Sequence, residues 1–386
     1  MKRVLLLLPT FAILLFVACS PSEKKSQTSS ENQPMTSISK KLFGQTPDGT
    51  AYLFSLKNTN GMEVHITNFG GIITSILVPD KVGKLDDVVL GFDSLAQYLA
   101  PHPYFGAIIG RYGNRIAQGK FSINNKAYTL AKNNGENHLH GGHQGFDKRI
   151  WNAREILNED APSLELTYLS KDTEEGYPGN LDVKVTYTLT ADNELKIDYE
   201  ATTDQPTICN LTNHSYFNLA GAGSGNILEH EVMIDADFVT PTTPDLIPTG
   251  ELASVEGTPF DLREYTVLGN GMRDTTPQMQ YAKGYDTNYV LKNQSGKLAK
   301  VASVRAPSSG RVMDVFTTEP GVQLYCGNWI DNVRGKAGKV YQAYAGLCLE
   351  TQHYPDSPNQ PDFPSTQLNP GETYRTTTIY QFLTME

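Results

Sequence analysis

The sequence predicts a large antiparallel β-sandwich, and three observations carry that prediction. Apolar and polar residues alternate in the middle of the chain. Val183, Val185, Tyr187 and Leu189 alternate with Asp182, Lys184, Thr186 and Thr188. Beyond Ala191-Asp192-Asn193, Leu195, Ile197 and Tyr199 alternate with Lys196, Asp198 and Glu200. A period of two marks strands with one buried and one wet face. Turn signals recur at close spacing, and 33 Gly and 22 Pro are spread along the 386 residues, which leaves little room for long helices. Many short strands joined by close turns stack as packed sheets.

The chain begins with Lys2 and Arg3, then an apolar run over residues 4–17 interrupted by Pro9 and Thr10, then Ala18 and Cys19. This pattern is a secretory signal over residues 1–18, and the run is short for a membrane span. Phe16-Val17-Ala18-Cys19 resembles a bacterial lipobox, with Phe16 where leucine is usual. On that reading Cys19 is lipidated, and the protein is an exported bacterial lipoprotein, periplasmic or membrane-anchored through Cys19. The alternative is an ordinary signal peptide with a coincidental cysteine. Residues 20–39 are rich in Ser, Lys, Gln, Glu and Asn. They predict a flexible tether over 19–40, with one folded domain over 41–386.

Within that domain Pro47-Asp48-Gly49 makes a turn before a strand over 51–57, and Asn60-Gly61 makes a hairpin before one over 62–66. Gly70-Gly71 leads into the apolar run 72–78. Residues 93–99 suit a short helix. Asn124-Asn125-Lys126 joins strands over 121–123 and 127–130.

Charge narrows the partners. The formal net charge is −10, and removing residues 1–18, with two basic and no acidic residues, gives 30 − 42 = −12. Nucleic acid needs a basic surface, so it is not a partner. An acidic chain can take up Ca2+, but the sequence assigns it no ligands. With Cys19 lipidated, Cys209, Cys326 and Cys348 remain, at spacings that match neither a disulfide framework nor a metal site. They read as buried free thiols.

Six polar stretches can carry chemistry. Residues 209–218, Cys-Asn-Leu-Thr-Asn-His-Ser-Tyr-Phe-Asn, predict a strand with Asn210, Thr212, His214 and Tyr216 on one face. His214 there is either part of a hydroxyl-reading site or a structural histidine. Gly110-Arg111-Tyr112-Gly113-Asn114-Arg115-Ile116 offers two guanidinium forks and an amide, or a surface turn held by ion pairs. Asn137-His138-Leu139-His140-Gly141-Gly142-His143 places His138 and His140 on one face if extended. That pairing raises a metal-dependent, cupin-like reading, but no acidic residue follows at ligand spacing. In Gly321-Val322-Gln323-Leu324-Tyr325-Cys326, Val322, Leu324 and Cys326 suit a core, while Gln323 and Tyr325 face an open side. In Leu347-Cys348-Leu349-Glu350-Thr351-Gln352, Glu350 faces outward with Cys348 and Gln352, either as a general base raised by partial burial or as an ordinary strand glutamate. Gly284-Tyr285-Asp286-Thr287-Asn288 reads as a polar loop in which Asp286 can accept hydrogen bonds.

Together these stretches resemble the aldose 1-epimerase, or galactose mutarotase, family. The resemblance runs in order through Gly110 to Ile116, Leu139-His140-Gly141-Gly142 with Gly145-Phe146-Asp147-Lys148, and Glu174-Glu175-Gly176-Tyr177-Pro178-Gly179. It continues through residues 210–219, Ile247-Pro248-Thr249-Gly250, Gly284-Tyr285-Asp286, Gly321-Val322-Gln323, and Leu349-Glu350-Thr351-Gln352 with Pro355-Asp356. It covers the chain from about residue 42 to the end.

The resemblance implies a β-supersandwich with an open sugar cleft, and an exchange of α and β anomers of free aldoses in hexose metabolism. It implies Glu350 as general base, His214 as general acid and His140 as a second histidine at the reacting centre. Asn114, Arg115, Asp286 and Gln323 would hold sugar hydroxyls. No cofactor or metal is required, and His138 and His143 stand outside the family pattern. The expected partners are free monosaccharides such as galactose and glucose, with the membrane reached only through the lipid and the chain a monomer. The competing reading is a sugar-binding lipoprotein of the same fold without catalysis.

Overall fold

The computed structural model describes residues 36–157 and 161–385, with Met1, Lys2, Leu5, Pro9 and Thr10. The rest of the signal, Cys19 and the tether as far as residue 35 lie outside the described residues. The described residues from 36 onward fall within one compact unit.

Among the described residues, three larger sheets carry the fold. A nine-stranded antiparallel sheet runs from Asn152–Ile156 through Ser163–Ser170, Leu181–Leu189, Glu194–Thr203, Tyr374–Thr384, Arg311–Thr317, Ala299–Ala306 and Glu231–Ile234 to Thr266–Val267. A five-stranded meander comprises Ser37–Thr46, Gly49–Lys57, Glu63–Thr67, Ile73–Pro79 and Leu85–Asp87. A second five-stranded sheet orders Ala253–Ser254, Ala236–Val239, Asp286–Leu291, Gly321–Tyr325 and Cys348–Gln352. One apolar cluster draws on all three: Phe54 and Ile76, then Val183 and Ile197, then Leu324 and Leu349. Burying those faces together is the main stabilising contribution.

The alternation over 181–189 is borne out, with Leu181, Val183, Val185, Tyr187 and Leu189 buried. The hairpin at Asn124-Asn125 has φ of 50° and 63°, the left-handed pair that a two-residue turn between Lys120–Ile123 and Lys126–Thr129 requires. The helix expected over 93–99 is Leu95–Leu99, and two further short helices are Leu268–Gly271 and Pro277–Ala282. Cys209, Cys326 and Cys348 are free and buried.

Two expectations need correction. The folded domain begins earlier than residue 41, because Ser37–Thr46 pairs along its length with Gly49–Lys57. This edge strand is largely exposed on both faces, so it has no alternation by which to be recognised. Residues 209–218 are not one strand. Thr207–Ile208 and Thr212–Asn213 pair with Gln367–Leu368 and Ile108–Ile109, while Asn210 and Phe217 make single bridges to Tyr112, Val89 and Leu347. The segment threads between sheets and changes partner every few residues.

Two buried ionic groups hold this threading in place. Arg111 donates to the carbonyls of Pro178 at 2.8 Å and Gly179 at 2.9 Å and to Ser170 Oγ at 2.6 Å, so it is a structural pin. His353 Nδ1 lies 2.7 Å from Glu319 Oε2, and Tyr374 donates to Glu319 Oε1 at 3.0 Å. Burial lowers the His353 pKa, but the charge and hydrogen bond of Glu319 outweigh it and the net shift is upward. A raised histidine contributes stability that is fully present below its ordinary value and is lost as pH rises through the raised one. His353→Asn is therefore expected to cost about 3 kcal/mol at pH 6. The melting-temperature difference from wild type should shrink steadily towards pH 9; a pH-independent difference would contradict this.

Candidate active site

Three neighbouring strands place the acidic and amide groups. Gln323 stands opposite Glu350 in one pairing and opposite Asn288 in the other; Tyr325 stands opposite both Cys348 and Asp286. Strand periodicity puts these side chains on one face, while Tyr289, Val322, Leu324 and Leu349 enter the core from the other. Residues 284–288 are thus not simply a loop, since Asp286 opens the strand Asp286–Leu291. The polar face is not open either. Gln323 is 3% exposed and Glu350 2%, because loops bearing Tyr104, Asn114, His140 and His214 close over it. Between face and loops lies a cavity of about 490 Å3.

The His140 loop is locked to the Asn114 loop. His138 pairs with Ile116 and Leu139 with Arg115. The His140 N–H donates to the Asn114 carbonyl at 3.0 Å, and the Asn114 N–H donates to His140 Nδ1 at 3.1 Å. With Nδ1 accepting, the proton of neutral His140 sits on Nε2. His140 has φ 50° and Gly141 φ 83°, and a side chain at Gly141 would collide with the Gly110 carbonyl. This sharp turn sends His138 and His140 to different places, contrary to the shared face expected of an extended segment. His138 bonds the Ala131 carbonyl at 2.8 Å and Tyr177 at 2.6 Å, so it is structural. The His143 N–H donates to Glu175.

His214 is placed by its N–H, which donates to the Ala107 carbonyl at 2.9 Å. Its ring stacks on Tyr216 at 5.0 Å and meets His140 edge-on at 5.1 Å. Nε2 lies 3.5 Å from Glu350 Oε1, and Nδ1 lies 3.4 Å from Cys348 Sγ. Burial pushes His214 down to about 3, and the charge of His102 works in the same direction. Burial raises Glu350 well above the carboxylate range; the Asp286 charge adds to this and Arg115 opposes it. His140 is held low by burial, then by His214 and Arg115. Burial disfavours charge on both members of the Glu350–His214 pair, so a proton shared between them is favoured on the carboxyl.

Asn114, Arg115 and Asp286 line the same cavity, and Gln323 stands behind Asp286 rather than in the lining. Gln323 Nε2 donates to Asp286 Oδ1 at 2.6 Å, and Arg115 Nη1 lies 3.8 Å from Asp286 Oδ2. Asn114 Oδ1 accepts the Arg115 N–H at 2.9 Å. Gln323 Oε1 and Glu350 Oε2 are buried acceptors without a hydrogen-bond partner among the described residues. Glu350 lines the cavity, and a buried acceptor there suits a hydroxyl-bearing ligand. By distance, the Glu350, His140 and His214 ligand atoms, all within 4.8 Å of one another, could also surround a cation. His138 and His143 are not in that group.

Residues 52–381 match the aldose 1-epimerase family. The chain belongs to that family. Among family relatives, galactose mutarotase of Sus scrofa is 48% identical over 90% of this chain and 99% of its own length. Aldose 1-epimerase of Escherichia coli K12 is 37% identical over 87% of this chain and 97% of its own. An aldose epimerase homologue from C. elegans superposes with a TM-score of 0.80 at 29% identity, covering 87% of this chain and all of that one. Galactose 1-epimerase from Lactobacillus acidophilus NCFM superposes at 0.81 with 25% identity, over 91% and 100%.

Beyond the residues the family pattern pointed to, the cavity includes Tyr104, Tyr281 and Trp329. Tyr104 packs on both histidines, at 4.7 Å from His140 and 5.9 Å from His214. Its sequence signal is the proline-punctuated run Pro101-His102-Pro103-Tyr104. Trp329 is 51% exposed, with Lys283 4.2 Å over its ring, and it had no signal beyond an aromatic after Gly-Asn.

Proposed function

We propose that this chain is an aldose 1-epimerase that interconverts the α and β anomers of free aldoses such as galactose and glucose. The supporting observation is the Glu350–His214 pair, 3.5 Å apart and opening into a cavity edged by amide, guanidinium and carboxylate groups. The names of its relatives agree, galactose mutarotase in Sus scrofa and aldose 1-epimerase in Escherichia coli.

The chemistry follows from that spacing. The anomeric hydroxyl oxygen and the ring oxygen are bonded to the same carbon, C1, so a base and an acid side by side reach both. Glu350 as carboxylate takes the proton of the C1 hydroxyl while imidazolium His214 gives its Nε2 proton to the ring oxygen. The C1–ring oxygen bond breaks and C1 becomes an aldehyde. The C1–C2 bond then rotates and the steps reverse on the other face. The pair holds one proton before and after ring opening, so no proton need enter from solvent. Moving the resting proton from Glu350 to His214 prepares the closed-ring step; the resting arrangement itself matches the open-chain step.

His140 cannot replace His214 in this scheme. Its Nδ1 is occupied by the Asn114 N–H, so losing the Nε2 proton would leave an imidazolate. It serves as a donor to a substrate oxygen beside C1. Asn114, Arg115, Asp286 and Gln323 hold the other hydroxyls, Gln323 acting from beside Asp286, to which its Nε2 donates. Every proton moved has a side-chain donor and acceptor, so the scheme uses no cofactor.

Polarimetry of fresh α-galactose and α-glucose tests this. Relaxation accelerated in proportion to enzyme, and unchanged after dialysis against a chelator, is expected. Binding of sugar with relaxation at the buffer rate would favour a sugar-binding protein that has lost catalysis. Sensitivity to the chelator would revive a metal-dependent reading of the Glu350, His140 and His214 group.

We infer further that Cys19 carries a lipid and tethers an exported enzyme to a membrane, on the strength of the signal and lipobox pattern. Cys19→Ser is expected to move the protein from the membrane pellet to the soluble fraction on cell fractionation. Continued sedimentation with membranes would refute lipidation.

A further inference from the structure

The proton balance above constrains the far side of the His214 ring. An imidazolium that gives up its Nε2 proton and ends neutral must keep its other proton on Nδ1 through the whole cycle. That N–H is buried, and a buried donor without an acceptor is costly. The side-chain atom facing it is Cys348 Sγ, 3.4 Å away. Around the ring stand Glu350 beyond Nε2, the edge of His140, and the faces of Tyr104 and Tyr216, with Tyr325 at 6.2 Å. None of these side chains hydrogen-bonds Nδ1, and the ring's remaining polar interaction is with the backbone of His214 itself.

We propose that Cys348 is a positioning residue whose sulfur accepts the Nδ1–H of His214, holding that tautomer so that Nε2 alone exchanges protons with Glu350 and the sugar. The proposal rests on His214 being the acid of the anomer exchange. Strand geometry makes the arrangement economical. Cys348 and Glu350 are two residues apart on one strand face, so a single strand supports both working groups of the pair.

The choice of sulfur has a chemical reason. Cys348 is fully buried, and burial, with the Glu350 charge, keeps it a neutral thiol. A neutral sulfur is a weak acceptor. A carboxylate in its place would stabilise imidazolium strongly and hold the proton on the ring. A weak acceptor orients the ring while leaving His214 a willing donor. His140 makes the contrast visible: its Nδ1 accepts a backbone N–H, so its proton is on Nε2. Two adjacent histidines are thus held in opposite tautomers by their outer partners, one for proton exchange and one for donation.

The test is long-range proton–nitrogen NMR of protein labelled with 15N-histidine, with His214 assigned by comparison with His214→Asn. The expected wild-type spectrum shows His214 protonated on Nδ1. In Cys348→Ala the Nε2–H form should gain population and kcat should fall about tenfold with KM unchanged, as loss of one weak hydrogen bond would produce. Cys348→Ser, which keeps an acceptor, should restore the tautomer and most of kcat. His214 protonated on Nε2 in the wild type overturns the proposal, as does an alanine variant with unaltered tautomer and kcat. The wild-type tautomer is read without turnover, so it decides even if the alanine variant does not fold. A protein that binds sugar without exchanging anomers would sink the activity reading and leave the tautomer measurement standing.

Discussion

Glu350→Gln lowers kcat by about 10³-fold while sugar still binds, and it raises the melting temperature. The amide keeps the shape and the hydrogen-bonding reach of the carboxyl but cannot take the C1 hydroxyl proton, and one positioned base is worth about 10²–10⁴-fold. The stabilisation has a separate cause. Glu350 is buried, with a pKa well above the usual carboxylate range because of burial and the Asp286 charge. The native state therefore holds a proton that the unfolded chain has released, and stability falls as pH rises from the ordinary carboxylate value towards the raised one. Glutamine removes that cost. The melting-temperature gain should be small near pH 4 and grow as pH rises towards 8. A kcat within threefold of wild type would refute the role of base, and a gain that shrinks with rising pH would refute the burial argument.

His214→Asn produces the second large effect, a loss of kcat of about 10²–10³-fold with KM little changed. The acid acts in ring opening and closing, whereas Asn114, Arg115, Asp286 and Gln323 bind the sugar in either state. The pH profile carries independent information. Burial sets His214 low, at about 3, and Glu350 high, so the pair holds its single proton over the range between. Activity should decline on the alkaline side as that proton is lost, and on the acid side only when a second one is gained. In His214→Asn the acid limb belonging to the imidazole disappears. If the substitution raised KM alone and left kcat intact, His214 would be a binding residue.

The main sheets were legible where one face is wet. Residues 181–199 announce two strands because Val183 to Leu189 and Leu195 to Tyr199 alternate with charged and hydroxyl residues. The edge strand Ser37–Thr46 was hidden because exposure on both faces removes the alternation. The site was legible as residue types more than as geometry. Parity placed Gln323 with Tyr325 and Glu350 with Cys348 on the faces of their own strands, but it could not show that the strands pair or that loops cover them, since both depend on segments far apart in the chain. Parity failed for His138 and His140, where the left-handed backbone at His140 and Gly141 breaks the strand. Tyr104 and Cys348 were missed as partners of His214 because their contacts depend on how the thread 209–218 crosses the sheets.

The three strands that hold Asp286, Gln323 and Glu350 present their other faces to the core. A one-residue slip in any of them would move its working side chain into oil and an apolar one into the cavity at once. Deletions there cannot weaken activity while sparing the fold. Insertions should be tolerated only in multiples of two or outside the strands. Lineages that alter sugar preference would then be expected to vary the covering loops, around Tyr104, Tyr281 and Trp329, and to leave the length of these strands untouched.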